Sequence, residues 1–264
     1  MTSSDPQLPG LVDLHSHLVP GVDDGTASLE ESLSALTSLY QQGVRAVVTT
    51  PHLLVPHLET EAALDRELSR HRRAFEPLAS LCATRSDLPV VKLGQEILAP
   101  TATDIQRVVN RDDVGLNGVY LLVEFGFDLS STHFDVIQAV LAAGRQIVIA
   151  HPERYTYLSD QDPLGLMQQW RRLGAMLQVN VGSLTGHYRR SSPHSEQLAW
   201  RMAELELIDV LASDHHGPRR IGVSPEEARK ALIARGHGAL AQRAMVEIPA
   251  SIVGSDLLTS RLPG

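Results

Sequence analysis

The chain has 264 residues, 43% hydrophobic and 20% charged, which fits one sizeable α/β domain and excludes an intrinsically disordered protein. Its formal net charge of −8 argues against a nucleic-acid partner, because phosphate backbones are held by clustered Lys and Arg. With Cys82 as its single cysteine, the chain is expected to lack an internal disulfide and to be cytoplasmic. No apolar run approaches the ~18 residues of a transmembrane helix, so no membrane insertion is predicted. Residues 1–10 lack a signal-peptide pattern and are expected to be a flexible lead before one domain over 11–264.

Short β-branched runs alternate with amphipathic helical stretches, a pattern typical of parallel βαβ units. The predicted strands are 11–14, 46–49, 90–93, 119–124, 146–150, 176–181 and 208–212. The first predicted helix begins at Ser28 and ends at Gly43, and the others are 61–83, 103–110, 134–143, 164–173, 196–205, 225–235 and 239–243. Seven strands alternating with helices predict an α/β barrel rather than an open sheet.

Polar side chains follow the carboxyl end of every predicted strand. They are His15 and His17, His52, Glu96, Glu124, His151, Asn180, and Asp214 with His216. In a parallel barrel these ends lie on one face, where the active sites of barrel enzymes are assembled. We therefore expect these residues to form one functional site.

The residue types at these positions indicate metal binding. His15 and His17 are two residues apart in an extended segment, so both imidazoles point to the same side and can reach one cation. Glu96 and Glu124 can bridge neighbouring cations, because a carboxylate has two oxygens. A single His-x-His pair is more often exposed or hydrogen-bonded than metal-binding, and Glu124 alone could be a buried acid paired with an arginine. The joint placement of all these side chains at strand ends is what favours a metal site.

Nine sequence blocks resemble the polymerase and histidinol phosphatase (PHP) superfamily, and within it the bacterial capsular-polysaccharide tyrosine phosphatases of the CpsB and YwqE type. The blocks are Asp13–His17, Pro20–Gly25, Ser28–Ser32, Thr50–His52, Gly94–Ile97, Val123–Phe125, Ala150–Tyr155, Gln178–Asn180 and Ala212–His216. This resemblance implies a distorted (β/α)7 barrel and a three-ion centre, usually with Mn²⁺, while Fe, Zn, Co or Mg are alternatives.

The resemblance also implies a division of the ligands among the ions. The first ion would take His15, His17, Glu96 and Asp214; the second Glu96, Glu124 and His151; the third Asp24, His52 and His216. Asp24 is preferred to Asp23 because the acid of the family directly precedes the glycine. The residues expected to take part in catalysis are Arg154, Asp214, His216 and Arg219, with Arg220 as the alternative to Arg219.

Arg154 is expected to bind phosphate, because a guanidinium fork matches phosphate oxygens, and a surface ion pair is its alternative role. A cysteine-dependent phosphatase is excluded, because Leu88 stands six positions after Cys82, where the phosphate-binding loop requires an arginine. The leading hypothesis is a metal-dependent protein-tyrosine phosphatase that acts on a phosphorylated tyrosine kinase of polysaccharide export. The alternatives are a small-molecule phosphatase of the histidinol-phosphate or nucleotide type, or a non-catalytic metal-containing module that binds phosphotyrosine.

Overall fold

The computed structural model describes residues 10–129, 131–218 and 223–254, so the predicted lead before Gly10 lies outside the described residues. The described strands are β1 Leu11–Asp13, β2 Val44–Thr49, β3 His52–Leu54, β4 Val90–Leu93, β5 Glu96–Leu98, β6 Tyr120–Glu124, β7 Gln146–Ile149, β8 Met176–Asn180 and β9 Val210–Ala212. They form two sheets, ordered β1-β2-β4 and β3-β5-β6-β7-β8-β9, in which every pair of neighbours is parallel.

All seven predicted strands are present, and two further short strands that were not predicted, β3 and β5, follow the second and the third. The second strand position consists of β2 and β3, separated at Thr50 and Pro51, and the third consists of β4 and β5, separated at Gly94 and Gln95. Proline lacks the N–H that a ladder needs, so a strand cannot pair regularly through Pro51. At both breaks the chain passes from the first sheet to the second.

The segment after β9 contacts the segment after β1 through backbone and polar side-chain groups. Ser16 and His215 form a parallel bridge, and the Asp214 N–H donates to the His15 carbonyl at 2.8 Å. One residue earlier, the Asp13 carboxylate accepts the Ser213 N–H at 2.9 Å and also the Ser213 hydroxyl. We call this set of contacts, made at and just after the ends of β1 and β9, the seam. The predicted fold class, a distorted α/β barrel, is confirmed.

Eight of the ten described helices lie where the periodic pattern predicted them, with differences at their ends, whereas α6 and α10 were not predicted. They are α1 Leu29–Gln41, α2 Glu61–Thr84, α3 Ala102–Gln106, α4 His133–Ala142, α5 Pro163–Leu173, α6 Val181–Leu184, α7 Ser195–Glu204, α8 Pro225–Ala234, α9 Gly238–Gln242 and α10 Ile248–Val253. Ser28 caps α1 by accepting the Glu31 N–H at 3.2 Å, and α2 continues through Pro77. None of the described helices has the length and apolarity needed to cross a membrane.

The interior of the barrel is a separate apolar cluster from the layer between strands and helices. Alternate residues of the strands supply it, because successive side chains of a strand point to opposite faces. Its buried members are Val12, Leu14, Ala46, Val48, Leu116, Leu122, Val148, Ala150, Val210, Ala212, Ile252 and Val253. The last two belong to α10, so this helix packs against the barrel interior.

A buried arginine fastens the long connection between α3 and β6. Arg145, only 7% exposed, donates to the carbonyls of Val109 at 3.0 Å, Arg111 at 3.0 Å and Val114 at 2.9 Å. Its Nε also donates to the Val119 carbonyl at 3.3 Å. These bonds satisfy backbone groups of an irregular segment that would otherwise need water.

Candidate metal centre

The carboxyl ends of the strands bring all nine predicted metal ligands together. They fall into four groups, and within each group the donor atoms lie within 4.8 Å of one another. They are His17, Asp24, His52 and His216; His15, Glu96 and His151; His15, His17 and Asp214; and His52, Glu96 and Glu124. The first contains the predicted third set, and the third contains most of the predicted first set. The predicted second set is divided between two groups: Glu96 is grouped with His151 in one and with Glu124 in the other.

Glu96 lies at the middle of the cluster and is fully buried. Its Oε2 is 3.3 Å from Nε2 of both His15 and His17, and 2.9 Å from His52 Nδ1. Its Oε1 is 2.8 Å from His151 Nε2. Glu96 Oε2 and His52 Nδ1 are both buried, yet their geometry gives no hydrogen bond among the described residues. Buried lone pairs that converge without hydrogen bonds fit cations of the kind that imidazole and carboxylate bind.

Asp214 connects this cluster to the predicted phosphate-binding arginine. Its Oδ1 is 3.5 Å from His15 Nε2 and 3.3 Å from His17 Nε2. Its Oδ2 accepts from Asn180 Nδ2 at 2.7 Å and from Arg154 Nη1 at 2.8 Å. One carboxylate therefore faces both the histidines and the guanidinium.

The structure separates the two neighbouring acids Asp23 and Asp24. Asp24 is half-exposed, and its Oδ1 lies 3.4 Å from His52 Nε2 and 3.5 Å from His216 Nε2. Asp23 instead lies behind His17, with Oδ2 2.7 Å from His17 Nδ1. Burial alone would raise the pKa of Asp23, but the hydrogen bond to His17, the charge of His17 and the N–H groups of Gly25 and His52 together lower that pKa to about 2. Asp24 therefore stays the predicted ligand, while Asp23 is placed to orient the ring of His17.

Sequence reasoning had not identified Gln178 as an orienting residue. Its Oε1 is 2.9 Å from His15 Nδ1 and accepts the His151 N–H at 3.3 Å, while its Nε2 donates to Asn180 Oδ1 at 2.8 Å. A hydrogen bond at Nδ1 fixes the ring and leaves Nε2 free to bind a metal. The signal was the two-residue spacing of Gln178 and Asn180, which puts both on one side of β8.

The carboxylates of Glu96 and Glu124 lie close together in this site, an arrangement that suits a cation. Burial, together with the charge of Glu96, raises the pKa of Glu124 to about 7. Two carboxylates this close repel each other, and a cation between them offsets the repulsion.

Arg154 is partly buried, so its pair with Asp214 is not the exposed surface pair that was its alternative role. It belongs to a single 3-10 turn, Pro152–Arg154, which follows the left-handed His151 at φ 31°. Its Cζ lies 4.3 Å from the ring centroid of Tyr188 and 5.2 Å from that of Phe127. The predicted Arg219, with its alternative Arg220, lies outside the described residues.

A parallel α/β barrel that carries buried imidazoles and carboxylates at the carboxyl ends of its strands has the architecture of a metal-dependent hydrolase. The chain belongs to the family described as capsular polysaccharide synthesis, CpsB/CapC, whose model matches residues 11–253. This confirms the family predicted from the sequence blocks.

Several relatives bear the name tyrosine-protein phosphatase. CpsB of Streptococcus pneumoniae is 27% identical over 261 residues, covering 94% of this chain and 100% of its own. YwqE of Bacillus subtilis is 28% identical over 221 residues, 83% of this chain and 82% of its own. CpsB of Streptococcus agalactiae is 30% identical over 219 residues, 78% of this chain and 83% of its own.

Solved structures show the same fold. One from the work on B. subtilis YwqE and S. pneumoniae CpsB, described as unique metal-dependent tyrosine phosphatases, has a TM-score of 0.68 at 23% identity and covers 96% of each chain. The phosphotriesterase homology protein of Escherichia coli, with phosphate in its active site, has a TM-score of 0.53 at 14% identity and covers 94% of this chain and 100% of its own.

Proposed function

We propose that this protein is a metal-dependent protein-tyrosine phosphatase of the cytoplasm, acting on a tyrosine kinase of capsule or exopolysaccharide synthesis. The observation that carries the proposal is Asp214, whose two oxygens face the buried histidines on one side and the Arg154 guanidinium on the other. The proposed metal ligands and the proposed phosphate-binding group are thus adjacent. The names of the relatives support phosphotyrosine as the substrate.

The residues proposed to hold the ions are His15, His17, Asp24, His52, Glu96, Glu124, His151, Asp214 and His216. We propose Mn²⁺ as the physiological metal, because a mixed nitrogen and oxygen donor set without thiolate suits it. Bound ions of this kind polarise phosphoryl oxygens and lower the pKa of coordinated water from ~16 towards ~7.

The side chains of the protein supply binding and orientation. The Arg154 fork would bind two phosphate oxygens, and its ion pair with Asp214 holds Nη1 in place. Asn180 donates to the same Asp214 oxygen, which fixes the carboxylate. His216 donates from Nδ1 to the Asp214 carbonyl at 2.8 Å, so its Nε2 faces Asp24. A phenolate leaving group, with a conjugate-acid pKa of ~10, needs little protonation, which favours phosphotyrosine over alkyl phosphates.

The test is hydrolysis of a phosphotyrosine peptide compared with histidinol phosphate, before and after exhaustive chelation. We expect a preference for the peptide, loss of activity on chelation, and recovery with Mn²⁺. Cys82→Ala is the matched control and should retain activity, because the buried thiol has no role in the proposed chemistry. Activity that survives chelation would exclude the metal mechanism. A preference for histidinol phosphate would favour the small-molecule alternative, and metal-loaded protein that binds the peptide without releasing phosphate would favour the non-catalytic one.

A further inference from the structure

Phe127 is an exposed aromatic side chain beside the metal centre. It lies in the loop after β6, and 49% of the residue is exposed. Its ring stands 6.1 Å from the His151 ring, centroid to centroid, with only 13° between the ring planes. On the same ring, the Arg154 Cζ lies 5.2 Å from the centroid. An apolar ring therefore borders both a predicted metal ligand and the predicted phosphate-binding group.

The backbone of Phe127 is held in place, although its ring is exposed. The Phe127 carbonyl accepts the Thr156 N–H at 2.7 Å, and Asp128 forms a parallel bridge with Thr156. The Leu129 N–H donates back to the Thr156 carbonyl at 3.4 Å. These bonds join the loop after β6 to the loop that carries Arg154, so the backbone from which the Phe127 ring projects is held next to that loop.

The aromatic residues near Phe127 in the chain and in space are buried, so Phe127 is exposed in contrast to its neighbours. Phe125, two residues earlier, is 1% exposed, and Tyr155, next to Arg154, is 0% exposed. Both pack in the core, whereas Phe127 presents an apolar surface to solvent at the edge of a charged site. Exposed aromatic surface at such a place is typical of a ligand contact.

We propose that Phe127 determines specificity for aryl phosphates, its exposed ring receiving the phenyl ring of the substrate while Arg154 binds the phosphate. This inference rests on the proposed function, since it names the part of the protein that would recognise the phenyl group of phosphotyrosine. An alkyl phosphate such as phosphoserine would reach Arg154 but leave Phe127 uncovered. Aromatic pairs contribute enough for Phe127 to change affinity by about 2- to 13-fold.

The alternative role for Phe127 is to orient Arg154 or His151 by packing, without contact with the substrate. The two roles differ in what they predict for ligands that lack a ring. A packing role would weaken every phosphate ligand equally when the ring is removed. A substrate contact would weaken only the aromatic ligands.

The experiment measures dissociation constants of phenylphosphonate and methylphosphonate by calorimetry on the Mn²⁺-loaded protein. For Phe127→Ala we expect phenylphosphonate to bind about 2- to 13-fold more weakly and methylphosphonate to bind as in the wild type. Phe127→Tyr should retain the preference, and Phe127→Leu should lose most of it while keeping an apolar side chain. Val119→Ala, which truncates an exposed residue just before the opposite end of β6, is the matched control and should change neither constant.

Equal weakening of both phosphonates in Phe127→Ala would overturn the inference in favour of packing, and unchanged binding of both would overturn it outright. Thermal unfolding of each variant verifies that it is folded. The proposed function is tested separately by wild-type hydrolysis of a phosphotyrosine peptide. A wild type that binds phenylphosphonate through Phe127 but does not hydrolyse the peptide would therefore refute the function and leave the aromatic contact established.

Discussion

The two neighbouring acids Asp23 and Asp24 should respond differently to the same isosteric substitution. Asp23 accepts three hydrogen bonds, from His17 Nδ1 at 2.7 Å, the Gly25 N–H at 3.0 Å and the His52 N–H at 3.1 Å. An asparagine has one acceptor oxygen, so Asp23→Asn turns its amide towards at least one N–H and removes the charge opposite His17. Loss of such an orienting contact typically costs about 10- to 100-fold in metal affinity, or about 1.4–2.7 kcal/mol.

Asp24→Asn removes a proposed ligand instead of an orienting group. We expect Asp23→Asn to bind the wild-type number of ions, with half-saturation shifted to about 10- to 100-fold higher free Mn²⁺. Asp24→Asn should hold one ion fewer per chain even at saturating Mn²⁺. The assay is elemental analysis across a series of buffered Mn²⁺ concentrations, with peptide hydrolysis at saturation as a second readout. The reasoning is refuted if Asp24→Asn keeps the full metal content while Asp23→Asn loses an ion at saturation.

Three further substitutions test other parts of the structure. Arg154→Lys keeps the charge but loses the fork, so kcat/KM for the phosphotyrosine peptide should fall by about 100-fold at unchanged metal content; an unchanged kcat/KM would exclude the phosphate-binding role. Arg145→Met leaves the carbonyls of Val109, Arg111 and Val114 without this donor, two of them buried, and should lower the free energy of unfolding by about 3 kcal/mol, measured by urea denaturation; an unchanged midpoint would contradict this. Burial raises the pKa of Glu153 from 4.5 to about 7, so between these values the folded state binds more protons than the unfolded state, and stability falls as pH rises. Glu153→Gln should therefore gain up to about 3 kcal/mol over the wild type between pH 4.5 and 7 in metal-free protein, and a gain independent of pH would argue against the shift.

The site was more predictable from the sequence than the details of the fold that hold it. Alternation along a strand has a fixed period of two, so the spacing of His15 and His17 was enough to place both on one side. The end of the second strand before Pro51 was predicted, whereas β3 and β5 were missed, because three residues are too few to show an alternating pattern. The described part of the chain therefore has nine short strands where seven were predicted.

The separate roles of Asp23 and Asp24 could not be derived from the residues, because neighbouring residues of one type carry no pattern that distinguishes them. They are distinguished only by their tertiary contacts, Asp23 with His17 and Asp24 with His52, in a loop packed so closely that a Cβ at Gly25 would lie 2.0 Å from the His17 carbonyl oxygen. The exposed ring of Phe127 was missed for a similar reason, since its position depends on a bridge to a loop almost thirty residues later. Helix α6, with four residues, is too short to show a helical period.

The seam has a consequence for how this protein folds and stays folded. The Asp13 and Ser213 side chains that meet there are 200 positions apart, so closing the barrel requires contacts of very high sequence separation. Such contacts form slowly, because the entropy of closing a long loop is lost before they form. Ions held jointly by His15 and His17 from one side and by Asp214 and His216 from the other would bind the closed barrel alone. Free metal would then suppress opening by mass action, so the concentration of the cofactor would govern the lifetime of the native chain as well as its catalysis.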